Sequence, residues 1–337
     1  MRSVDSIAEK KDARCASLVA LGRRLSGIRA AHHNSDRSSA LAPNNTSMKT
    51  LLLALSFTAA LAAQDAFRVK VTGHGPAMIL IPGLSSSGDV WDSTVAHYQN
   101  QFQCHVLTLA GFAGVPPLTG ADPFLDRERD AIAAYIREKK LDHPVIVGHS
   151  LGGYLALSIG AKYPDLAEKL VIVDSYPFLD GVTNPKATAE TARDDAEKMR
   201  TYLNAQPQDQ YEQFTRKGVM VRLMVTKEPD VARVTDWILA SDRRTSTEAM
   251  AEIMGADLRP ALPKIKAPSM VMATWIGYKG YADREHIEAN LHAQYAGLAG
   301  ADLRLCDTAR HFIMLDDPDW MLAQMDGFLG AAKRAER

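Results

Sequence analysis

The sequence predicts a protein of the α/β class, with a mostly parallel central sheet flanked by helices and a helical segment inserted into it. Three observations carry that expectation. From residue 67 onward, short apolar runs rich in β-branched residues alternate with longer helical patterns, as in a parallel sheet covered on both faces. One run passes straight into Gly148-His149-Ser150-Leu151-Gly152 and then into an apolar helix. Between residues 176 and 267 the strand pattern stops, and charge-rich helical segments replace it.

The runs expected as strands are 67–72, 77–81, 105–109, 145–147, 170–173, 270–275 and 303–305. Residues 125–139 carry Leu125, Ile132, Ala133, Tyr135 and Ile136 among charges, an amphipathic helix leaning on the sheet. Residues 151–163 are apolar apart from Ser158 and Lys162, so that helix is expected to be buried, with Pro164 ending it. A last helix over 318–332 has Asp316 or Asp317 available as its cap. The inserted stretch has turn signals at Asn184-Pro185 and Gln206-Pro207, and Pro260 and Pro263 near its exit. It is too long for a structureless loop in a compact domain. The organisation expected is therefore a sheet domain of residues 63–175 and 268–337, with residues 176–267 as a helical cap that shapes a pocket and excludes water.

The N-terminal region stands apart. Residues 1–47 are polar and rich in Ser, Asn and Arg, without apolar periodicity, and are expected to be disordered. Residues 48–62 follow the layout of a secretory signal peptide: Met48-Lys49-Thr50, an apolar run of about a dozen residues, and Ala60 and Ala62 before the cleavage point. A signal peptide ordinarily starts a chain, which suggests translation from Met48 instead of Met1. The competing readings are a buried helix in a cytoplasmic protein and a targeting region that includes the basic first segment. Export to the periplasm or the extracellular space is the expectation if the segment works as a signal.

Composition narrows the partners. A net charge of −1 over 337 residues gives no footprint for nucleic acid, and a small-molecule substrate is the default. No other apolar run approaches the length of a membrane span, and nothing requires an obligate protein partner. Cys15, Cys104 and Cys306 are scattered without zinc-site spacing or disulfide density, so neither a metal nor a structural disulfide is expected.

The chemistry starts at the elbow. In a strand–turn–helix context, Gly-x-Ser-x-Gly holds a serine in a strained backbone conformation that lifts its hydroxyl above the sheet. The flanking glycines at 148 and 152 leave room for the turn. A serine hydroxyl is a poor nucleophile at neutral pH and needs a general base. His311, after the last predicted strand and before the last helix, is the candidate among ten histidines. His149, beside the serine, is read as packing or pocket-lining.

With this elbow and the run Ile79-Leu80-Ile81-Pro82-Gly83-Leu84-Ser85, the chain from about Phe67 to the C-terminus resembles the α/β-hydrolase superfamily. The resemblance implies that the backbone N–H groups of Leu84 and Leu151 form the oxyanion hole, and that His311 is the catalytic histidine. Relatives often have Gly before that histidine. Here the residue is Arg310, which either places a cation at the pocket edge or points to solvent. The acid implied by chain order is Asp283, after the 270–275 strand, although it could equally be the N-cap of the helix that starts Arg284-Glu285-His286. Asp174, at the end of Val171-Ile172-Val173, is the rival, in a position that some superfamily members use.

A Ser150–His311–Asp283 triad, with Asp174 as alternative acid, would cleave an ester of a small apolar substrate through an acyl-enzyme, with no cofactor. An aspartate nucleophile is excluded by Ser150. Lactone, amide or C–C bond hydrolysis and acyl transfer remain open on this fold, as does a non-catalytic protein that binds a small ligand. Trp91, Phe112, Tyr176, Phe178, Trp275 and Tyr278 fall on segments that could line the pocket, or could belong to the core.

Overall fold

The computed structural model describes residues 66–330 other than 121, 122, 183, 185 and 281. The N-terminal extension and the leader segment lie outside the described residues. Seven strands form one sheet: β1 (Phe67–Gly73), β2 (Ala77–Ile81), β3 (Gln103–Leu109), β4 (Val145–His149), β5 (Lys169–Val173), β6 (Ser269–Thr274) and β7 (Asp302–Cys306). Their spatial order is β1-β3-β2-β4-β5-β6-β7. β1 runs antiparallel to β3, and the other pairings are parallel.

Each strand begins and ends within two residues of its predicted run, for a physical reason. β2, β4 and β6 are buried at every position, so both faces must be apolar and the strands appear in the sequence as unbroken runs. Parity along β2 divides the core in two. Ile79 and Ile81 join Leu107, Ile146, Ile172 and Val271 on one face, while Met78 and Leu80 join Val106, Val147, Val171 and Met272 on the other.

Helices cover both faces. The sheet domain contributes α1 (Asp92–Tyr98), α2 (Phe124–Glu138) and α3 (Leu151–Lys162) before β5. Between β5 and β6 lie α4 (Ala189–Ala205), α5 (Gln208–Arg216), α6 (Val219–Met224), α7 (Glu228–Ala240) and α8 (Arg243–Gly255). The chain closes with α9 (Arg284–Gln294), α10 (Ile313–Asp316) and α11 (Pro318–Leu329). α3 is buried along almost its whole length, and α2 buries one stripe that includes Ile132, Ala133 and Ile136. Asp317, not Asp316, caps α11 by accepting the Trp320 N–H at 3.1 Å. Among the described residues no helix is long and apolar enough to cross a membrane.

The inserted helices are fastened to the sheet domain through backbone groups that would otherwise be orphaned. α2 starts after Pro123, which offers no side-chain cap. Its first N–H groups, on Phe124 and Leu125, are instead bound at 2.8 Å each by the two carboxylate oxygens of Glu252 on α8. A negative charge at a helix N-terminus satisfies both the hydrogen bonds and the helix dipole. Further along, Asp242 N–H donates to Gly111 O (2.7 Å) and Gly114 N–H to Ala240 O (3.0 Å), which ties the α7–α8 junction to the loop after β3.

One polar group on α2 is unusual. Glu128 is fully buried, and among the described residues neither carboxylate oxygen has a well-formed hydrogen bond. Burial pushes its pKa well above the ordinary 4.5, against weaker opposing pulls from Arg127 and the Ala110 backbone. The group folds neutral and unfolds charged, so it costs increasing stability as pH rises from its unfolded pKa towards its folded one. Glu128→Gln has no such proton to bind. Thermal melts at about pH 4 and about pH 8 should therefore show the difference between variant and wild type moving in the variant's favour at the higher pH. A difference that does not change with pH would mean that Glu128 is ionised in the fold.

Candidate active site

Ser150 lies between β4 and α3 with φ 52° and ψ −120°, a region that costs a non-glycine residue free energy and persists only where the surroundings enforce it. Here they do. A Cβ on Gly148 would lie 2.1 Å from Gly152 O, and one on Gly152 would lie 2.3 Å from Ile81 O. The turn therefore closes only with glycine on both sides. Ser150 N–H is held by Val173 O at 2.9 Å, across the β4–β5 pair.

The same strand pair decides which carboxylate meets His311. His149 at the end of β4 is in register with Val173 at the end of β5, so Asp174 emerges beside the elbow. Its Oδ2 is 2.6 Å from His311 Nδ1 and its Oδ1 accepts the Thr274 N–H at 3.0 Å. The Asp174 side chain is only 2% exposed. A carboxylate so deeply buried is costly unless its oxygens are hydrogen-bonded. Thr274 also donates its hydroxyl to Ala309 O, so the end of β6 orients both the acid and the histidine loop. Tyr176, Tyr278 and Tyr295 surround the acid, and burial together with its charge raises their hydroxyl pKa values, Tyr295 donating to Ser175 O at 2.7 Å.

Asp283, preferred from chain order, does not meet the histidine. It is exposed and caps α9, accepting the His286 N–H at 2.8 Å. Its carboxylate is committed to the helix N-terminus, and Thr274 N–H at the β6 end faces Asp174 instead.

With Nδ1 given to Asp174, His311 Nε2 has no hydrogen-bond partner among the described residues, and it lines the same cavity as Ser150. Leu84 lines that cavity too, and Leu151 opens α3. Neither backbone N–H finds a protein acceptor among the described residues. For Leu151 this follows from its place in the first helical turn, where N–H groups point out unpaired. His149 is fully buried with Nε2 3.0 Å from His311 O, so the proton is on Nε2 and donates to that carbonyl. Burial, with the neighbouring His311, depresses its pKa far below the usual 6.5 and keeps it neutral. Its ring packs 4.6 Å from that of His311 and 4.7 Å from that of Phe312.

The cavity above Ser150 measures about 230 Å³. Leu203, Tyr211, Met224, Val234, Ile238 and Met250 from α4–α8 form its roof, and its lining contains no Asp, Glu, Lys or Arg. Ser85 Oγ from the β2 loop meets Ser246 Oγ from α8 at 2.7 Å, which joins floor to roof. None of the six aromatic residues singled out as pocket candidates lines this cavity. Trp91, Phe112 and Phe178 are in the core at 0% exposure, Tyr176 is buried, and Trp275 donates its indole N–H to Asp307. The aromatics that do line it are Tyr211 and Phe312.

Arg310 neither borders the cavity nor points to solvent. Its guanidinium donates to the carbonyl oxygens of Arg222 and Val225, at the C-terminal end of α6, where a cation satisfies orphan carbonyls and the helix dipole. Next to it, Phe312 N–H donates to Met224 O at 3.1 Å. Asp316 accepts from Thr226 N, Thr226 Oγ1 and Arg310 N, each at 2.9 Å. The histidine loop and the roof of the cavity are thus one hydrogen-bonded unit.

The family model described as "Alpha/beta hydrolase family" matches residues 78–324, a span that contains β2, the serine elbow, the inserted helices and the His311 loop. The chain belongs to this alpha/beta hydrolase family. Among relatives, the chain is 24% identical to an N-formylmaleamate deformylase of Pseudomonas putida over 273 residues, covering 77% of this chain and 91% of that one. It is 30% identical to a 2-(acetamidomethylene)succinate hydrolase of Mesorhizobium japonicum over 113 residues, 33% of this chain and only 40% of that relative. The structure of a thermophilic esterase from Thermogutta terrifontis superposes with a TM-score of 0.61 at 19% identity, covering 79% of this chain and 93% of that one, a likeness of fold.

Within this hydrolase, the Arg310 clamp makes a local prediction. Arg310→Gly should speed amide hydrogen exchange at both ends of the contact, residues 222–226 and 311–312, with the sheet unaffected. Unchanged exchange at both would show that the clamp holds nothing in place.

Proposed function

We propose that the chain hydrolyses esters of small, apolar acyl substrates, with Ser150 as nucleophile, His311 as general base and Asp174 as the acid that orients it. The observation that carries this reading is the 2.6 Å contact of His311 Nδ1 with buried Asp174, in a ring whose free Nε2 shares a cavity with Ser150. The carboxylate fixes the tautomer with its proton on Nδ1, which leaves Nε2 as the acceptor a serine proton needs. In the proposed reaction the Ser150 hydroxyl and His311 Nε2 come within hydrogen-bond reach with substrate in place. Ser150 Oγ attacks the acyl carbon as its proton passes to His311 Nε2. The developing oxyanion is met by the free N–H groups of Leu84 and Leu151. The C–O bond to the alcohol breaks as His311 returns the proton to it. Water, deprotonated by the same imidazole, then releases the acid and regenerates Ser150.

The cavity argues for a neutral substrate. The two relatives are named for a succinate and a maleamate, which carry carboxylates, whereas no lysine or arginine lines this cavity to receive one. The deformylase and the acetamido compound do support a second reading, cleavage of an acyl C–N bond by the same residues. The leader pattern at residues 48–62 supports export of the enzyme.

A p-nitrophenyl ester chain-length series tests the proposal. Ser150→Ala should abolish turnover without lowering the thermal midpoint, since Ser150 contributes a hydroxyl to the cavity and not to the core. Asp174→Asn should reduce kcat by roughly 10⁴, as loss of the orienting carboxylate does elsewhere, and Asp283→Asn should leave kcat close to wild type. The reverse ranking of the two aspartates would reject this triad, and hydrolysis of N-acyl compounds alone would favour the C–N reading.

A further inference from the structure

The turn that carries Leu84 is held from two sides. Gly83 O accepts the Ser86 N–H at 3.2 Å, which closes residues 83–86 into a turn after β2. On one side of Leu84 the turn rests against the elbow, because a Cβ on Gly83 would lie 2.9 Å from His149 Nδ1 and 3.2 Å from Ser150 Cβ. On the other side is Ser85, only 4% exposed and with φ 53°. That left-handed conformation is costly for a residue with a side chain and persists only where contacts enforce it. The short contact is with the roof of the cavity: Ser85 Oγ lies 2.7 Å from Ser246 Oγ on α8. The roof's other approach, Ser241 Oγ to Ser85 O, is 3.5 Å long, and Ser241 donates at 2.8 Å to Trp237 O.

α8 is a fixed point for such a bond. Asp242, before its first residue, donates its N–H to Gly111 O, and Glu252, further along, receives the first N–H groups of α2. Ser246 lies between these two anchors. Leu84, Ser85 and Ser246 all line the cavity above Ser150. A backbone donor stabilises a developing oxyanion only if it is aimed before the reaction begins, and a displacement of about 1 Å at such a group costs roughly 10²-fold in rate.

We propose that α8 positions the oxyanion hole. The Ser85–Ser246 hydrogen bond holds the turn so that Leu84 N–H points at the acyl oxygen, and the two serines are positioning residues that touch neither the scissile bond nor its proton. This rests on the reading of Leu84 N–H as an oxyanion donor and deepens it, since the inserted helices then contribute to the rate as well as covering the site.

Two ketones of one chain length separate aim from shape. Butyl trifluoromethyl ketone takes Ser150 Oγ at its carbonyl carbon as the serine proton passes to His311, which leaves the former carbonyl oxygen as an oxyanion in the hole. Butyl methyl ketone fills the same space without that adduct. Ser246→Ala should weaken the trifluoromethyl ketone and lower kcat for p-nitrophenyl pentanoate by a similar factor, about tenfold, with KM and the affinity for butyl methyl ketone within about twofold of wild type. Ser246→Thr, which keeps the hydroxyl, should restore both. Ser85→Gly relieves the positive φ but removes the hydroxyl, so it should melt no lower than Ser85→Ala while losing kcat as Ser85→Ala does. Because the two serines serve one bond, Ser85→Ala combined with Ser246→Ala should lose no more than either alone. Wild-type kcat in Ser85→Gly, losses that multiply in the double variant, or equal weakening of both ketones would overturn the proposal. If the wild type cleaves no ester but still forms the adduct, the ester reading fails alone, and the effect of Ser246→Ala on the adduct decides this one. Formation of neither overturns both.

Discussion

The burial of one carboxylate organises this molecule. Asp174 lies under the sheet's C-terminal edge with almost no contact with water, where a carboxylate is costly unless its oxygens are hydrogen-bonded. Thr274 N–H and the His311 imidazole satisfy it. Each comes from a different segment, so the ends of β5 and β6 and the loop after β7 must close on one point. The elbow joins the same arrangement through Ser150 N–H and Val173 O. A positive φ at both Ser150 and Asp174 is the backbone strain of that convergence, held by the well-buried strands on either side.

The roof of the cavity depends on the same loop from above. Arg310 and Asp316 bracket His311 and spend their hydrogen bonds on α6 and the turn that follows it. Below, His149 supports the His311 carbonyl with a ring that burial keeps neutral. The imidazole proposed as general base is thus positioned through its backbone and its Nδ1, which leaves Nε2 alone open to the cavity. The same contacts connect α6 with the histidine loop, through Met224, which lines the cavity and accepts from Phe312 N–H.

Much of this was legible in the sequence, and the remainder was not, for identifiable reasons. Strands buried on both faces must be apolar throughout, so β2, β4 and β6 could be found as runs. The elbow was legible because its turn demands glycine at fixed positions on either side of Ser150. The partner of His311 was not, because Asp283 and Asp174 both follow strands. What separates them is the adjacency of β5 to β4 and the direction of one N–H on Thr274, which are facts of tertiary structure. The sequence did contain the competing signal, since Asp283 before Arg284-Glu285-His286 is an N-cap pattern, and the helix dipole claims it. Pocket aromatics were likewise indistinguishable from core ones, because Trp91 or Phe178 buried under a sheet has the same neighbours in sequence as one lining a cavity. Tyr211 and Phe312 could have been found only by knowing how the inserted helices fold over the elbow.

The most direct measurement of the central contact is the proton on His311 Nδ1. A strong hydrogen bond to a buried carboxylate moves an imidazole N–H resonance far downfield in the proton NMR spectrum and slows its exchange with water. The account predicts such a resonance in the wild-type protein, lost in His311→Gln, lost or moved sharply upfield in Asp174→Asn, and unchanged in Asp283→Asn. A resonance that survives in Asp174→Asn and disappears in Asp283→Asn would contradict it.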